Sequence, residues 1–207
     1  MIIGISGVSS TGKSSLAKAA AEKLNLPVLL DTDWHERAWK WLEEKGLMPH
    51  TKFFPELTPE EHINFERAAV SSRIAMENEQ SEFIGDETPL EYINYLYLTC
   101  APYPNLISPT ELNVMIDALR SQLRRYDLIW YLPFGQLPVV DDGRRLTNEH
   151  LLKGLDYRLR GMMQELIELQ HPIIGIINDI TDLETRVKIV LTSPEIIKQN
   201  KQRKKIN

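Results

Sequence analysis

Apolar positions along the chain fall into two alternating patterns. Five short runs rich in branched aliphatic and aromatic residues, each closed by glycine, proline or polar residues, occupy 2–6, 28–30, 82–85, 128–132 and 173–177. Runs of this length without polar alternation read as strands buried on both faces, the mark of a parallel sheet. Between them the apolar residues recur at helical spacing. In 14–24, Leu16, Ala17, Ala20 and Leu24 share one face, and after Pro109 so do Leu112, Met115, Ile116, Leu119 and Leu123, which predicts a helix packed on the sheet as core. Strands alternating with helices predict an α/β fold, a five-stranded parallel sheet flanked by helices.

Three helix starts carry one signature: Thr58-Pro59-Glu60-Glu61, Ser108-Pro109-Thr110-Glu111 and Ser193-Pro194-Glu195. In each a hydroxyl is placed to cap free amides and proline fits the first turn, and the first two also have the glutamate of a capping box. Two stretches are less regular. Residues 31–54 hold Trp34, Trp39 and Trp41, and residues 133–147 end in Asp-Asp-Gly-Arg-Arg-Leu-Thr. Both follow strands, at the edge of the sheet where α/β folds bind ligands. The pattern reads as one domain over 1–197 followed by a basic tail, 198–207, that holds Lys198, Lys201, Arg203, Lys204 and Lys205 and is expected to be solvated.

Composition narrows the options. With 207 residues, 43% of them hydrophobic and 26% charged, the chain can bury one core of ordinary size. The net charge of −5 weighs against duplex nucleic acid as the main partner. No apolar run approaches the roughly 20 residues of a membrane helix and no secretory leader is evident, so a cytoplasmic protein is expected. The lone cysteine, Cys100, lies in an apolar setting and reads as core, and His35, His50, His62, His150 and His171 lack metal-ligand spacing.

The strongest chemical signal follows the first strand. Gly7-Val8-Ser9-Ser10-Thr11-Gly12-Lys13-Ser14 fits the phosphate-loop pattern, with a strand before it and a helix after it. Backbone amides of Gly7, Ser9, Ser10, Thr11, Gly12, Lys13, Ser14 and Ser15 can converge on a polyphosphate, and glycine allows the close approach that a Cβ would block. Lys13 reaches the β/γ oxygens, and Ser14 offers a hydroxyl to Mg2+ at the positive end of the helix. Asp86, after Phe83-Ile84-Gly85, fits the strand-end acid that steadies the metal. Its alternative is a turn or helix cap before Thr88-Pro89. Glu87 is adjacent, and on an extended chain it points the other way. ATP and Mg2+ are the expected cofactors.

With these residues in hand, the chain resembles the ribosylnicotinamide kinase domain of the bacterial NAD regulator and related P-loop kinases often encoded by phages. The resemblance rests on GVSSTGKSSLAKAAAEKL, FIGDETPLEYINYL and YDLIWYLPFGQLPVVDDGRRLTNEHLLKGLDYRLRGMMQEL. It implies a P-loop nucleoside- or nucleotide-kinase-like fold with an arginine-bearing lid, in which Arg145 meets the transferring phosphate, with Arg144 at the substrate and Arg158 and Arg160 as helpers. It also implies a carboxylate just after the second strand that accepts the proton of the attacking hydroxyl. Asp31 and Asp33 both stand there, and Asp33 is favoured beside Trp34, whose ring is a candidate platform for a planar base. The plainer alternative makes Asp33 an N-cap and the tryptophans core. The loop 178–181 would lie beside the purine. Many relatives carry arginine after the strand-end aspartate where this chain has Glu87, a reversed charge near the acceptor.

The reading is ATP- and Mg2+-dependent phosphoryl transfer to a hydroxyl of a small nucleoside-like acceptor, with Lys13, Asp33 and Arg145 as catalytic residues. Two alternatives stand beside it. One is a kinase acting on a hydroxyl of a modified base or an end of DNA, using the basic tail and the stretch between Pro102 and Pro109. The other is a nucleotide-dependent switch, although no Asn-Lys-x-Asp guanine motif is present. A homodimer is left open.

Overall fold

The computed structural model describes residues 1–47, 57–140, 147–169 and 172–203. Five parallel strands form one sheet in the order β2(Val28–Leu29), β3(Phe83–Asp86), β1(Ile2–Ser6), β4(Leu128–Tyr131) and β5(Ile173–Ile176). The central β1 is buried at every position. Successive side chains alternate between two separate cores, as the pleat requires. Ile3, Ile5, Ile84, Leu128 and Trp130 pack on one face with α1(Lys13–Leu24) and α7(Leu183–Val190). On the other face Ile2, Phe83, Ile129 and Tyr131 pack with α2(Asp31–Glu44), α3(Pro59–Asn78), α4(Pro89–Thr99), α5(Pro109–Leu123) and α6(Glu149–Leu169). A final helix, α8, spans Ser193–Arg203.

The five expected strands are present, with β2, β4 and β5 each shorter by one residue and β3 shifted by one so that Asp86 is its last residue. Asp86 pairs in register with Ile5, one residue before the end of β1. The strand end and the loop after β1 therefore open on the same edge of the sheet. The irregular reading of 31–54 gives way to a helix over Asp31–Glu44 that starts directly after β2.

Helix starts follow local chemistry with one exception. Thr58 accepts from Glu61 N, and Glu61 bonds back to Thr58 N at 2.9 Å. Ser108 accepts from Glu111 N. Ser193, expected as a cap, instead donates to Val190 O and accepts from the Trp130 indole at 2.9 Å, so it ties α8 to the sheet. The basic stretch does not begin as a loose tail, since α8 continues to Arg203 and Lys201 pairs with Asp127 at 2.9 Å. No helix among the described residues is long and apolar enough to cross a membrane.

Candidate active site

The loop between β1 and α1 is built by three residues in left-handed or glycine-only backbone. Ser10 has φ 63°, Gly12 has φ 86° and Gly7 has φ 148°. A Cβ on Gly7 would come within 2.5 Å of the Leu132 carbonyl oxygen, so only glycine lets the loop cross the end of β4. Thr11 Oγ1 donates to Val8 O at 2.8 Å and closes the loop on itself. Val8 is anchored among Leu152 and Leu155 of α6. A cavity of about 140 Å3 lies over the loop, lined by residues 9 to 15 together with Asp31 and Glu87.

Glu91 supports this loop from below. Its carboxylate, 2% exposed, accepts from Ser6 Oγ, from Gly7 N at 2.7 Å, and from Thr88 N and Oγ1 at 2.8 and 2.6 Å. Thr88 and Glu91 form the capping box of α4. The same carboxylate thus fixes a helix start and the entry to the phosphate loop. Its signal was present in the sequence, because Thr88-Pro89-Leu90-Glu91 repeats the pattern of the two other capped helices.

Lys13 is almost buried, donates to Val8 O at 3.1 Å and sits 3.5 Å from Glu87 Oε1. Asp86 is 1% exposed, and among the described residues no donor lies in full hydrogen-bonding geometry to either carboxylate oxygen, the Ser14 hydroxyl being near but not closed onto it. Burial raises its pKa, with Lys13 and the Ser14 hydroxyl pulling the other way. A buried, unsatisfied carboxylate beside a helix-start hydroxyl fits a hard divalent cation. Among the described residues no group of three or more His, Cys, Asp or Glu could hold a metal.

Glu87 breaks the alternation expected of an extended chain. Its φ of 72° turns its side chain back into the cavity, on the same side as the phosphate loop. Burial first, then Asp31, Glu91 and Asp86, push its pKa up to about 8 against the opposing pull of Lys13.

The two aspartates after β2 have separate tasks. Asp33 Oδ2 accepts from Leu30 N at 2.9 Å and holds the first turn of α2, while Asp31 lines the cavity. Trp34, expected as a platform for a base, lies in the core. It is 1% exposed, donates to Tyr92 OH at 2.9 Å and has the Arg73 guanidinium over its ring at 4.4 Å. Its faces are taken, so it cannot stack on a ligand. Trp39 is also buried, and Trp41 is half-exposed. Arg144 and Arg145 lie outside the described residues, as does the lid that would carry them. Arg160 pairs with Asp156 at 2.8 Å and Tyr131 OH at 2.9 Å, and Arg158 stacks on Tyr97 at 5.4 Å. Cys100 is fully buried, and its thiol is pushed up to about 11 by burial.

Arg186 of α7 carried no sequence signal. It is 2% exposed, and its guanidinium donates to Thr11 O at 2.7 Å, to Ile180 O and to Gln136 Oε1 at 3.1 Å. Gln136 in turn donates to Ile177 O and Asn178 Oδ1. One buried cation thereby joins the phosphate loop, the loop after β5 and the segment after β4.

The fold is that of the P-loop kinases. By sequence the chain matches no family model and none of the curated proteins. Among solved structures it is similar to deoxyadenosine kinase from M. mycoides, with TM-score 0.65 and 17% identity over 95% of this chain and all of that one. Shikimate kinase from Aquifex aeolicus gives TM-score 0.55 and 17% identity over 94% and 96% of the two chains. NadR in complex with NAD and AMP-PNP gives TM-score 0.56 and 16% identity over 92% of this chain and 48% of that one.

Proposed function

We propose that this chain binds ATP with Mg2+ and transfers the γ-phosphoryl group to a hydroxyl of a small nucleoside-like acceptor. The observation that carries this reading is a cavity in which the glycine-bounded loop after β1 faces the carboxylate of Asp31, the first residue of α2. The similarity to deoxyadenosine kinase and to NadR supports it. The amides of 9–15 and the start of α1 would hold the phosphates. Lys13 would leave Glu87 and Val8 O for the β/γ oxygens. Ser14 and Asp86 would hold Mg2+, which supplies neutralising charge at the transferring group.

Asp31, rather than Asp33, would take the proton, since it lines the cavity while Asp33 is engaged by Leu30 N. The acceptor oxygen forms its bond to the γ-phosphorus as the bond from that phosphorus to the β-phosphate oxygen breaks, ADP leaves with the electron pair, and the hydroxyl proton goes to Asp31. Asp33 keeps α2, and hence Asp31, in position. Arg145, with Arg144, is proposed to close over the transferring phosphate and exclude water.

The test is acceptor-dependent release of ADP across a panel of nucleosides and other small polyols. Asp31→Asn is expected to slow transfer by about a hundredfold or more while sparing ATP binding. Asp33→Asn keeps the fold of the site and loses much less. Equal rates for Asp31→Asn and the parent would remove Asp31 from the reaction, and no ADP with any acceptor would remove the kinase reading.

A further inference from the structure

The cavity that holds Asp31 has a second carboxylate in its wall, and the backbone keeps it there. Glu87 follows the strand end in left-handed backbone, a conformation a non-glycine residue holds only when its surroundings enforce it. Both of its main-chain polar groups are engaged: the amide donates to Ile5 O at 3.0 Å and the carbonyl accepts from Arg73 at 3.2 Å. Arg73 is itself fully buried and paired with Glu77 at 2.9 Å. The side chain is 6% exposed and therefore cannot leave for solvent.

We infer that Glu87 forms an acceptor subsite that selects compounds presenting a hydrogen-bond donor or a positive charge beside the attacking hydroxyl, and rejects those carrying phosphate or carboxylate there. This deepens the kinase reading and rests on it. Among the described residues lining the cavity, Lys13 is the one cation, and Asp31 and Glu87 are the two acids. Once Lys13 turns to the phosphates of ATP, Glu87 is left without its partner, facing Asp31 and with Asp86 and Glu91 close behind. Burial and the acids around Glu87 already disfavour negative charge in this wall, so a further anion brought into it meets repulsion from Asp31, Asp86 and Glu91, whereas an amine restores the positive charge that Lys13 withdrew and a hydroxyl offers the Glu87 carboxyl a hydrogen bond. The fold does not decide this point, since it is shared by kinases named for shikimate and thymidylate, which bear a carboxylate and a phosphate.

The experiment uses the full chain, MgATP and a matched series of nucleosides whose 3′ substituent is amine, hydroxyl, hydrogen or phosphate. For the parent, kcat/KM is expected to be highest for amine and hydroxyl, lower for hydrogen, and lower than hydroxyl by about a hundredfold or more for phosphate, the scale of two or more kcal/mol of unpaired charge. Glu87→Gln should keep the hydroxyl compound and lose the advantage of the amine. Glu87→Arg should shift the phosphate-to-amine ratio by at least about tenfold toward phosphate. Thermal melting reports whether each variant folds, and the Gln variant keeps shape and size. A parent that accepts the phosphate compound as readily as the hydroxyl compound, or Glu87 variants that leave the order unchanged, overturns the subsite while the kinase reading stands. A parent that binds ATP and phosphorylates no acceptor of any charge overturns both.

Discussion

Buried carboxylates decide much of this molecule's behaviour, and each can be tested by a single change. Glu91 accepts four hydrogen bonds while almost fully buried. In Glu91→Gln the amide group offers a donor to donors, leaving at least one of Gly7 N, Thr88 N or their neighbours unpaired at about 1–3 kcal/mol. ATP binding measured by titration should weaken about tenfold or more, with the far-ultraviolet circular dichroism unchanged. Glu66 is a different case. It is 4% exposed, and its hydrogen bond is a long one from Thr99 at 3.4 Å. Burial pushes its pKa up to about 7 from 4.5, with that hydroxyl opposing. The folded state therefore binds more protons than the unfolded chain between these values, and the contribution to stability is complete below pH 4.5 and lost as pH rises through 7. Glu66→Gln should unfold at higher denaturant than the parent at pH 8, by a margin on the order of 1–3 kcal/mol, and show no such gain at pH 4.5. An equal shift at both pH values would count against the buried carboxyl as the cause.

At this scale the sequence was legible where chemistry is local. Residues 7–15 make their own loop, so their pattern could be read directly. Asp31 and Asp33 stood side by side, and only the start of α2 shows that Asp33 is engaged by Leu30 N while Asp31 faces the cavity. Glu87 was read as pointing away because extended geometry was assumed, and the left-handed turn at that residue reverses it.

Among the elements, strands and helices came through because burial on two faces and hydroxyl-proline-glutamate starts leave marks in consecutive residues. The same kind of start at Thr88 was not counted with the three, entering only as a turn or helix cap in the alternative for Asp86, and Ser193 was taken for a cap because nothing local shows that the Trp130 indole, 63 residues away, claims its hydroxyl. Arg186 lay beyond any such reading, since its bond to Thr11 O spans 175 residues. Two predictions belong here. Gly175 pairs in register with Trp130 and lies directly against its ring. Gly175→Ala should displace the indole and break its bond to Ser193, costing about 1–3 kcal/mol and changing the tryptophan emission. Arg186→Lys keeps a charge but cannot hold Thr11, Ile180 and Gln136 together. It should weaken ATP binding about tenfold and tripolyphosphate binding much less, if the loop after β5, expected beside the purine, is the part released. An equal loss for both ligands would mean that Arg186 only supports the phosphate loop.

For the whole molecule, the order β2-β3-β1-β4-β5 gathers chain ends that are far apart in sequence on one edge of the sheet. The loop after β1, Asp31 after β2 and Asp86 with Glu87 at the end of β3 meet there because all strands run the same way. That convergence is what brings the proposed polyphosphate cradle, metal-binding acid and proton acceptor to one edge of the sheet. The direct measurement is calorimetric titration of the parent and of Lys13→Ala with ATP, with and without Mg2+. The parent should bind one equivalent of ATP, more tightly with Mg2+, and Lys13→Ala should lose about a hundredfold or more in affinity. No binding by the parent, or equal binding by Lys13→Ala, would contradict the assignment of this loop as the site that holds the phosphates.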